Sequence, residues 1–227
     1  MSKPEPRPRC PRCHRALRTC VCALARPVAH QVEVLILMHP MEVHEAKGTG
    51  HLLHLCLPHS RVMVGEEFDA AELEAALHGR SASWADTDGA PRHSLLLYPD
   101  TADQDAALGL AAAAPLPLPW PQPPERLRLV IIDGTWRKSR KMLYLNPALQ
   151  ALPRLPLLGV EDSGYAIRKA HLPGQLSSFE AAALALAQLQ KRPQDATVHA
   201  VLQEVFSQFV AQQLQLRQCN QAPPRGA

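Results

Sequence analysis

Apolar positions along the chain gather into short, nearly uniform runs separated by segments of helical period. "QVEVLILMHP" is a β-rich run ending in a polar turn, and "EAKGTGHLLHLCLP" after it reads as helical. "SRVMVG" is a short strand, and "DAAELEAALHG" is a helix closed by glycine. "SLLLYPD" supplies a third strand. An alanine-rich stretch and the extended connector "PLPLPWPQPP" then lead to "LRLVIID", a fourth strand that opens a second unit. The helix that follows ends at Asn146-Pro147, because proline pushes the residue before it out of helical geometry. "SSFEAAALALAQLQ" is a strong helix with a Ser177–Glu180 capping box, and a last helix runs from Ala196 to Gln218.

Uniformly apolar strands alternating with helices predict an α/β fold: a mainly parallel sheet covered by helices on both faces. Ligands of such sheets bind beyond the C-terminal ends of the strands. Three polar stretches lie there: "MHPMEVHEAKGTG", "YPD" and "DGTW". No G-x-G-x-x-G opens a helix, and there is no P-loop or G-x-S-x-G elbow, so dinucleotides, nucleoside triphosphates and serine-hydrolase chemistry are disfavoured.

The 227 residues are 46% hydrophobic, enough for a sizeable core. No apolar run approaches the roughly 20 residues that span a bilayer, and "MSKPEPRPRC" lacks the apolar centre of a signal peptide. The expectation is a cytoplasmic protein with no membrane partner, and a monomer. Net charge is only +3, but residues 1–30 hold seven Lys or Arg and one acid. That local excess fits a polyanionic partner or a solvated tail equally well.

Within the basic segment lies "CPRCHRALRTCVC", in which Cys10, Cys13, Cys20 and Cys22 form C-x2-C-x6-C-x-C. Two close thiol pairs on a short loop can converge on one tetrahedral ion, and in a chain without an export signal this spacing argues for zinc over disulfides. His14 lies close enough to replace one thiolate, although four cysteines are the simpler set. Four protein ligands leave no open position, so the metal is structural. Arg9, Arg12, Arg15 and Arg18 surround the site and would offset the thiolate charge or meet phosphates. The chain divides into a basic zinc-binding segment (1–27), a main domain (28–218) and a polar C-terminal tail (219–227). Cys56 and Cys219 have no partner motif and are read as packing residues.

Four features in one order, "CPRCHRALRTCVC", "HPMEVHEAKGTG", "DGTW" and "YAIRKAHLPGQLSSFEA", resemble the DTW-domain family, the bacterial tRNA-uridine aminocarboxypropyltransferases and their relatives. The resemblance implies a SPOUT-like fold, knotted, with S-adenosylmethionine held at the C-terminal edge of the sheet. It implies transfer of the 3-amino-3-carboxypropyl group to N3 of a tRNA uridine, with release of 5′-methylthioadenosine. Asp133, Thr135 and Trp136 match the D-x-T-W signature and are the expected catalytic residues. Two positions depart from the family: Ser178 stands where threonine is usual, and Gly48 where asparagine is common. Cofactor contacts are expected from Leu97, Tyr98, Pro99, Asp133, Gly134, Arg168, Lys169, Ser177, Ser178 and Glu180. RNA contacts are expected from Arg12, Arg15, Arg18, His39, Lys47, Thr49, Arg137, Lys138, Arg140 and Lys141.

Uridine N3 is a poor nucleophile until its proton leaves, and Asp133 is the candidate base. Two other roles stay open for it: holding the cofactor or RNA, and capping the next helix. Arg168 and Lys169 can anchor the methionyl carboxylate or contact phosphate. Ser177, Ser178 and Glu180 hold an anionic group at a helix start or simply cap it. Trp136 is expected to pack in the core in preference to stacking on a base, with the basic flank of its helix facing outward. A metal site built from His39, Glu42, His44 and Glu45 is disfavoured, because transfer from a sulfonium needs no Lewis acid.

Overall fold

The computed structural model describes residues 8–79, 92–99, 106–116, 123–157, 176–190 and 196–221. Four strands form one parallel sheet: β1 (Glu33–Met38), β2 (Ser60–Val64), β3 (His93–Leu97) and β4 (Leu127–Asp133), in the order β2-β1-β4-β3. The two central strands are buried at every position. That burial on both faces is why their sequences read as nearly uniform apolar runs. The fourth strand does not open a second unit, since it lies between β1 and β3 in the same sheet. Neighbours in a parallel sheet need not be neighbours in sequence, because every connection is a crossover.

Alternate residues feed two cores. Val34 and Ile36 of β1, with Leu129 and Ile131 of β4, pack on one face under α1 (Gly50–Cys56), α5 (Ser178–Gln190) and α6 (Ala196–Gln221). Leu35, Leu37, Val130 and Ile132 meet α2 (Ala70–His78), α3 (Trp136–Leu145) and α4 (Pro147–Gln150) on the other. Helices on both faces are therefore observed. The chain path that decides whether there is a knot includes residues 158–175, which lie outside the described residues. No helix among the described residues is long and apolar enough to cross a membrane.

The helices pack by period. Phe179, Ala182, Ala183, Leu186 and Leu189 make the buried stripe of α5, and Val198, Leu202, Val205, Phe206 and Phe209 that of α6. Phe179 and Phe206 stack between them with centroids 5.6 Å apart. The capping box forms: the Glu180 carboxylate accepts from the Ser177 backbone N–H at 2.9 Å, and the Ser177 hydroxyl accepts from the Glu180 N–H at 3.2 Å. The last helix runs on to Gln221, so the tail expected from 219 begins later. Cys219 is exposed and not a packing residue, whereas Cys56 is fully buried.

The N-terminal edge of the sheet is closed by charge. Glu33 and Arg128 are register partners across β1 and β4. Arg128 donates twice to Glu33 Oε2, at 2.6 and 3.0 Å, and once to the Ala76 carbonyl at 2.5 Å. Arg92 donates to Glu33 Oε1 at 3.1 Å. Breaking a buried pair leaves an uncompensated charge, so Glu33→Gln is expected to lose about 3–5 kcal/mol of unfolding free energy. Glu204→Gln, which breaks the half-exposed Arg26–Glu204 pair, should lose no more than about 1 kcal/mol. Chemical denaturation of both variants is the measurement, and equal losses would contradict this account of Glu33.

Candidate active site and metal centre

The two central strands send their chains to opposite faces, β1 to α1 and β4 to α3. Their C-terminal ends thus flank the crevice in which sheets of this type bind ligands. Met38 and Asp133 are register partners there, and the His39 N–H donates to the Asp133 carbonyl at 3.0 Å. Asp133 is only 5% exposed. Gly50, the first residue of α1, presses its backbone on the Asp133 carboxylate. A Cβ at Gly50 would overlap that carboxylate and stand 2.8 Å from Met38 Cε. This position demands glycine for close approach. In the sequence "GTG" is too short a signal to count, since glycine at a helix start has many causes.

Asp133 does not cap α3. Thr135 does, with its hydroxyl accepting from the Lys138 N–H at 3.4 Å. Ser139, Met142 and Leu143 form the buried face of α3. Trp136, a turn before Ser139, opens the helix just beyond the C-terminal end of β4. The expectation that Trp136 packs in the core therefore fails, and it is 45% exposed. Its ring meets buried Tyr98 edge-on at 5.7 Å and 72°. The Arg154 guanidinium lies 5.4 Å from the Tyr98 centroid. Arg154, Tyr98 and Trp136 thus form an aromatic and cationic ledge beside Asp133's strand end.

Several expected RNA cations face other groups. Lys138 pairs with buried Glu42 at 2.7 Å, and Lys141 pairs with Glu66 at 2.7 Å. His39 is buried; its Nδ1 accepts from the Met41 N–H at 3.1 Å, so its Nε2–H donates to Glu66 at 3.0 Å. Lys141 and His39 hold the Glu66 carboxyl below the usual carboxylate range. His39 and Thr49, both buried, are consequently not surface contacts for RNA. Lys47, Arg137 and Arg140 are exposed. Sequence reading missed Glu66 and Asn146. The buried Asn146 amide donates to the Glu66 carbonyl at 2.9 Å and accepts from the Phe68 N–H at 3.0 Å, fixing the turn that presents Glu66.

Among the other expected cofactor contacts, Leu97 and Gly134 are half-buried at the strand ends and Pro99 is exposed. Ser177 and Glu180 bond each other, with Ser178 opening α5. Arg168 and Lys169 lie outside the described residues.

The four cysteine sulfurs converge within 4.8 Å of one another, with Cys10–Cys22 at 3.6 Å and Cys13–Cys20 at 3.7 Å. A tetrahedral ion with Zn–S bonds of about 2.3 Å requires S···S separations of about 3.8 Å, so the set fits zinc. The electrostatics agree. Backbone N–H groups of Cys13 and Arg12 pull the Cys10 thiol down to about 6, whereas burial and the neighbouring thiols push Cys22 up to about 12. Four thiolates this close require a cation between them. The turn is tight: His14 takes φ 55°, its N–H donates to Cys10 O at 2.9 Å, and the Cys10 N–H donates to Arg15 O at 2.8 Å. His14 is not part of the converging set, and its ring packs against His51 at 5.1 Å. His39, Glu42, His44 and Glu45 form no metal cluster among the described residues.

Arg12 and Arg18 are exposed, but Arg15 is not available to phosphate, being 1% exposed with its guanidinium turned into the fold. The metal loop bends back over the main domain and takes this side chain inward, a reversal that a run of arginines does not reveal. Cobalt-substituted protein should show the intense visible absorption of tetrahedral thiolate coordination at one ion per chain, and Cys13→Ser should lose it. A weak, octahedral-type spectrum would argue against the four-sulfur site.

The DTW domain profile matches residues 7–214. A Drosophila melanogaster protein named tRNA-uridine aminocarboxypropyltransferase 2 is 31% identical over 200 residues, which cover 84% of this chain and 70% of its own. A Mus musculus protein of the same name is 29% identical over 192 residues (82% of this chain, 58% of its own), and one from Macaca fascicularis is 29% identical over 190 residues (82% and 57%). The chain thus spans less than two thirds of the two mammalian relatives. No solved structure matches it. The profile covers the four-cysteine segment, the strand-end loops, the D-G-T-W joint and most of the last helix, and the chain belongs to the DTW domain family.

Proposed function

We propose that the protein transfers the 3-amino-3-carboxypropyl group of S-adenosylmethionine to N3 of a tRNA uridine and releases 5′-methylthioadenosine. Family membership and the names of the relatives support this reading. The observation that carries it is the pairing of a buried carboxylate with an exposed aromatic at one strand end: Asp133 behind Gly50, and Trp136 at the mouth. Asp133 accepts the N3 proton. The N3 electron pair forms a bond to the γ carbon of the methionyl arm, the carbon–sulfur bond breaks, and its electrons return to sulfur, leaving a neutral thioether. Trp136 offers its face to the uracil ring and so orients N3.

The remaining groups bind and steer. Arg168 and Lys169 take the methionyl carboxylate, and Leu97, Tyr98, Pro99 and Gly134 line the cofactor's seat. Arg12, Arg18, Lys47, Arg137 and Arg140 contact tRNA phosphates. Cys10, Cys13, Cys20 and Cys22 hold zinc, which supplies rigidity to the basic segment and takes no part in transfer.

Incubation with tRNA and S-adenosylmethionine should release methylthioadenosine; S-adenosylhomocysteine in its place would make the protein a methyltransferase. Asp133→Asn should lower turnover by about 10²–10⁴-fold while tRNA affinity holds. Trp136→Ala should lower kcat/KM for tRNA by about tenfold or more, the worth of one stacked base. Near-normal turnover of Asp133→Asn would remove the base assignment.

A further inference from the structure

The loop between β1 and α1 ends at Gly50, so the path of residues 46–49 decides how Gly50 meets Asp133. That loop is held from the cysteine segment. Arg15, sixth in the run that begins at Cys10, donates to the Ala46 carbonyl at 2.9 Å and to the Gly48 carbonyl. The other side of its guanidinium lies 5.2 Å from the Phe209 ring centroid on α6. A planar fork that satisfies two carbonyls of one turn and packs against an aromatic admits few geometries. A second tie runs alongside: His44 Nδ1–H donates to the His14 carbonyl at 3.0 Å, and the His14 ring packs against His51. Burial and the neighbouring His14 lower His51 to about 4, leaving it neutral, and its Nε2–H donates to Val43 O at 3.1 Å.

The backbone of Arg15 is in turn part of the metal loop, through the Cys10 N–H···O bond to Arg15 and the left-handed turn at His14. We propose that Arg15 is a positioning residue that makes the geometry of the 46–50 loop, and with it the seat of Asp133, depend on the metal held by the four cysteines. The chain of contact is short: sulfurs, Arg15, the carbonyls of Ala46 and Gly48, Gly50, the Asp133 carboxylate. With the metal gone, nothing balances the crowded sulfurs, the Cys10–Arg15 turn opens, and the fork leaves its carbonyls. Naming this the ligand loop of an aminocarboxypropyl transferase rests on the function proposed above; the coupling of metal site to loop does not.

The test uses full-length protein, zinc-loaded and zinc-stripped, as wild type, Arg15→Met and Arg15→Lys. Amide hydrogen exchange of peptides spanning 43–50 and calorimetric affinity for S-adenosylmethionine are read for each. Stripping zinc from wild type should speed exchange in the loop and weaken cofactor binding, each by about tenfold. Zinc-loaded Arg15→Met should show the same change with its zinc retained, and stripping it should add less than about twofold, because the link is already cut. Arg15→Lys, which keeps the charge and a donor, should fall between, and it carries the comparison if Arg15→Met fails to fold. Unaltered loop exchange in the zinc-loaded variants, or a zinc effect as large in them as in wild type, would overturn the proposal. The exchange pattern without cofactor affinity would keep the coupling and discard the proposed reaction.

Discussion

The ligand edge depends on one register. Parallel pairing of β1 with β4 sets Met38 beside Asp133, and the chain leaving Met38 returns at Gly50 to press bare backbone on the carboxylate of that same aspartate. A slip of one residue would exchange the two faces of the strand, sending Leu35 and Leu37 to the wrong core. The hydrophobic packing that fixes register therefore also fixes where the carboxylate stands.

Charge organises what register leaves open. Glu42 and Glu66 come from separate loops, and each takes a lysine of α3. The helix is thereby tied to two neighbours at its outer flank, while Arg137 and Arg140 remain at the surface. The Lys141–Glu66 pair is largely exposed and contributes little stability, whereas the Glu42 end of the other pair is buried. Their effect is angular, limiting how α3 can swing and so where Trp136 points.

The two central strands are legible in sequence because burial on both faces leaves few polar residues in them. The order of the sheet is not, since an apolar run carries no record of its neighbours. Cys10, Cys13, Cys20 and Cys22 declare themselves because two close thiol pairs on a short loop carry a spacing that can converge on one ion. Asp133 stands out by chemistry, an acid at the end of "LRLVII". Trp136 reads as core because helical period tells which residues share a face and not where the sheet beneath ends. Arg15 reads like Arg12 and Arg18, and only the bend of the metal loop separates them. Glu66 and Asn146 act on partners many residues distant, and their spacing carries no pattern.

The cysteine segment is bound to the last helix at several points: Phe209 lies beside Arg15, Glu204 meets Arg26, and Gln212 donates to the Cys20 carbonyl at 3.0 Å. Cys10, Cys13 and Val21 belong to the same core as Val205 and Phe209. These contacts join residues separated by most of the chain, the kind that form late because loop closure comes before their reward. During synthesis the thiols emerge long before α6, yet their packed surroundings arrive only after that helix has been made. A segment made well before α6 is thus completed only after it, and for that interval its four sulfurs stand in water, where a cation bound between them would be their protection.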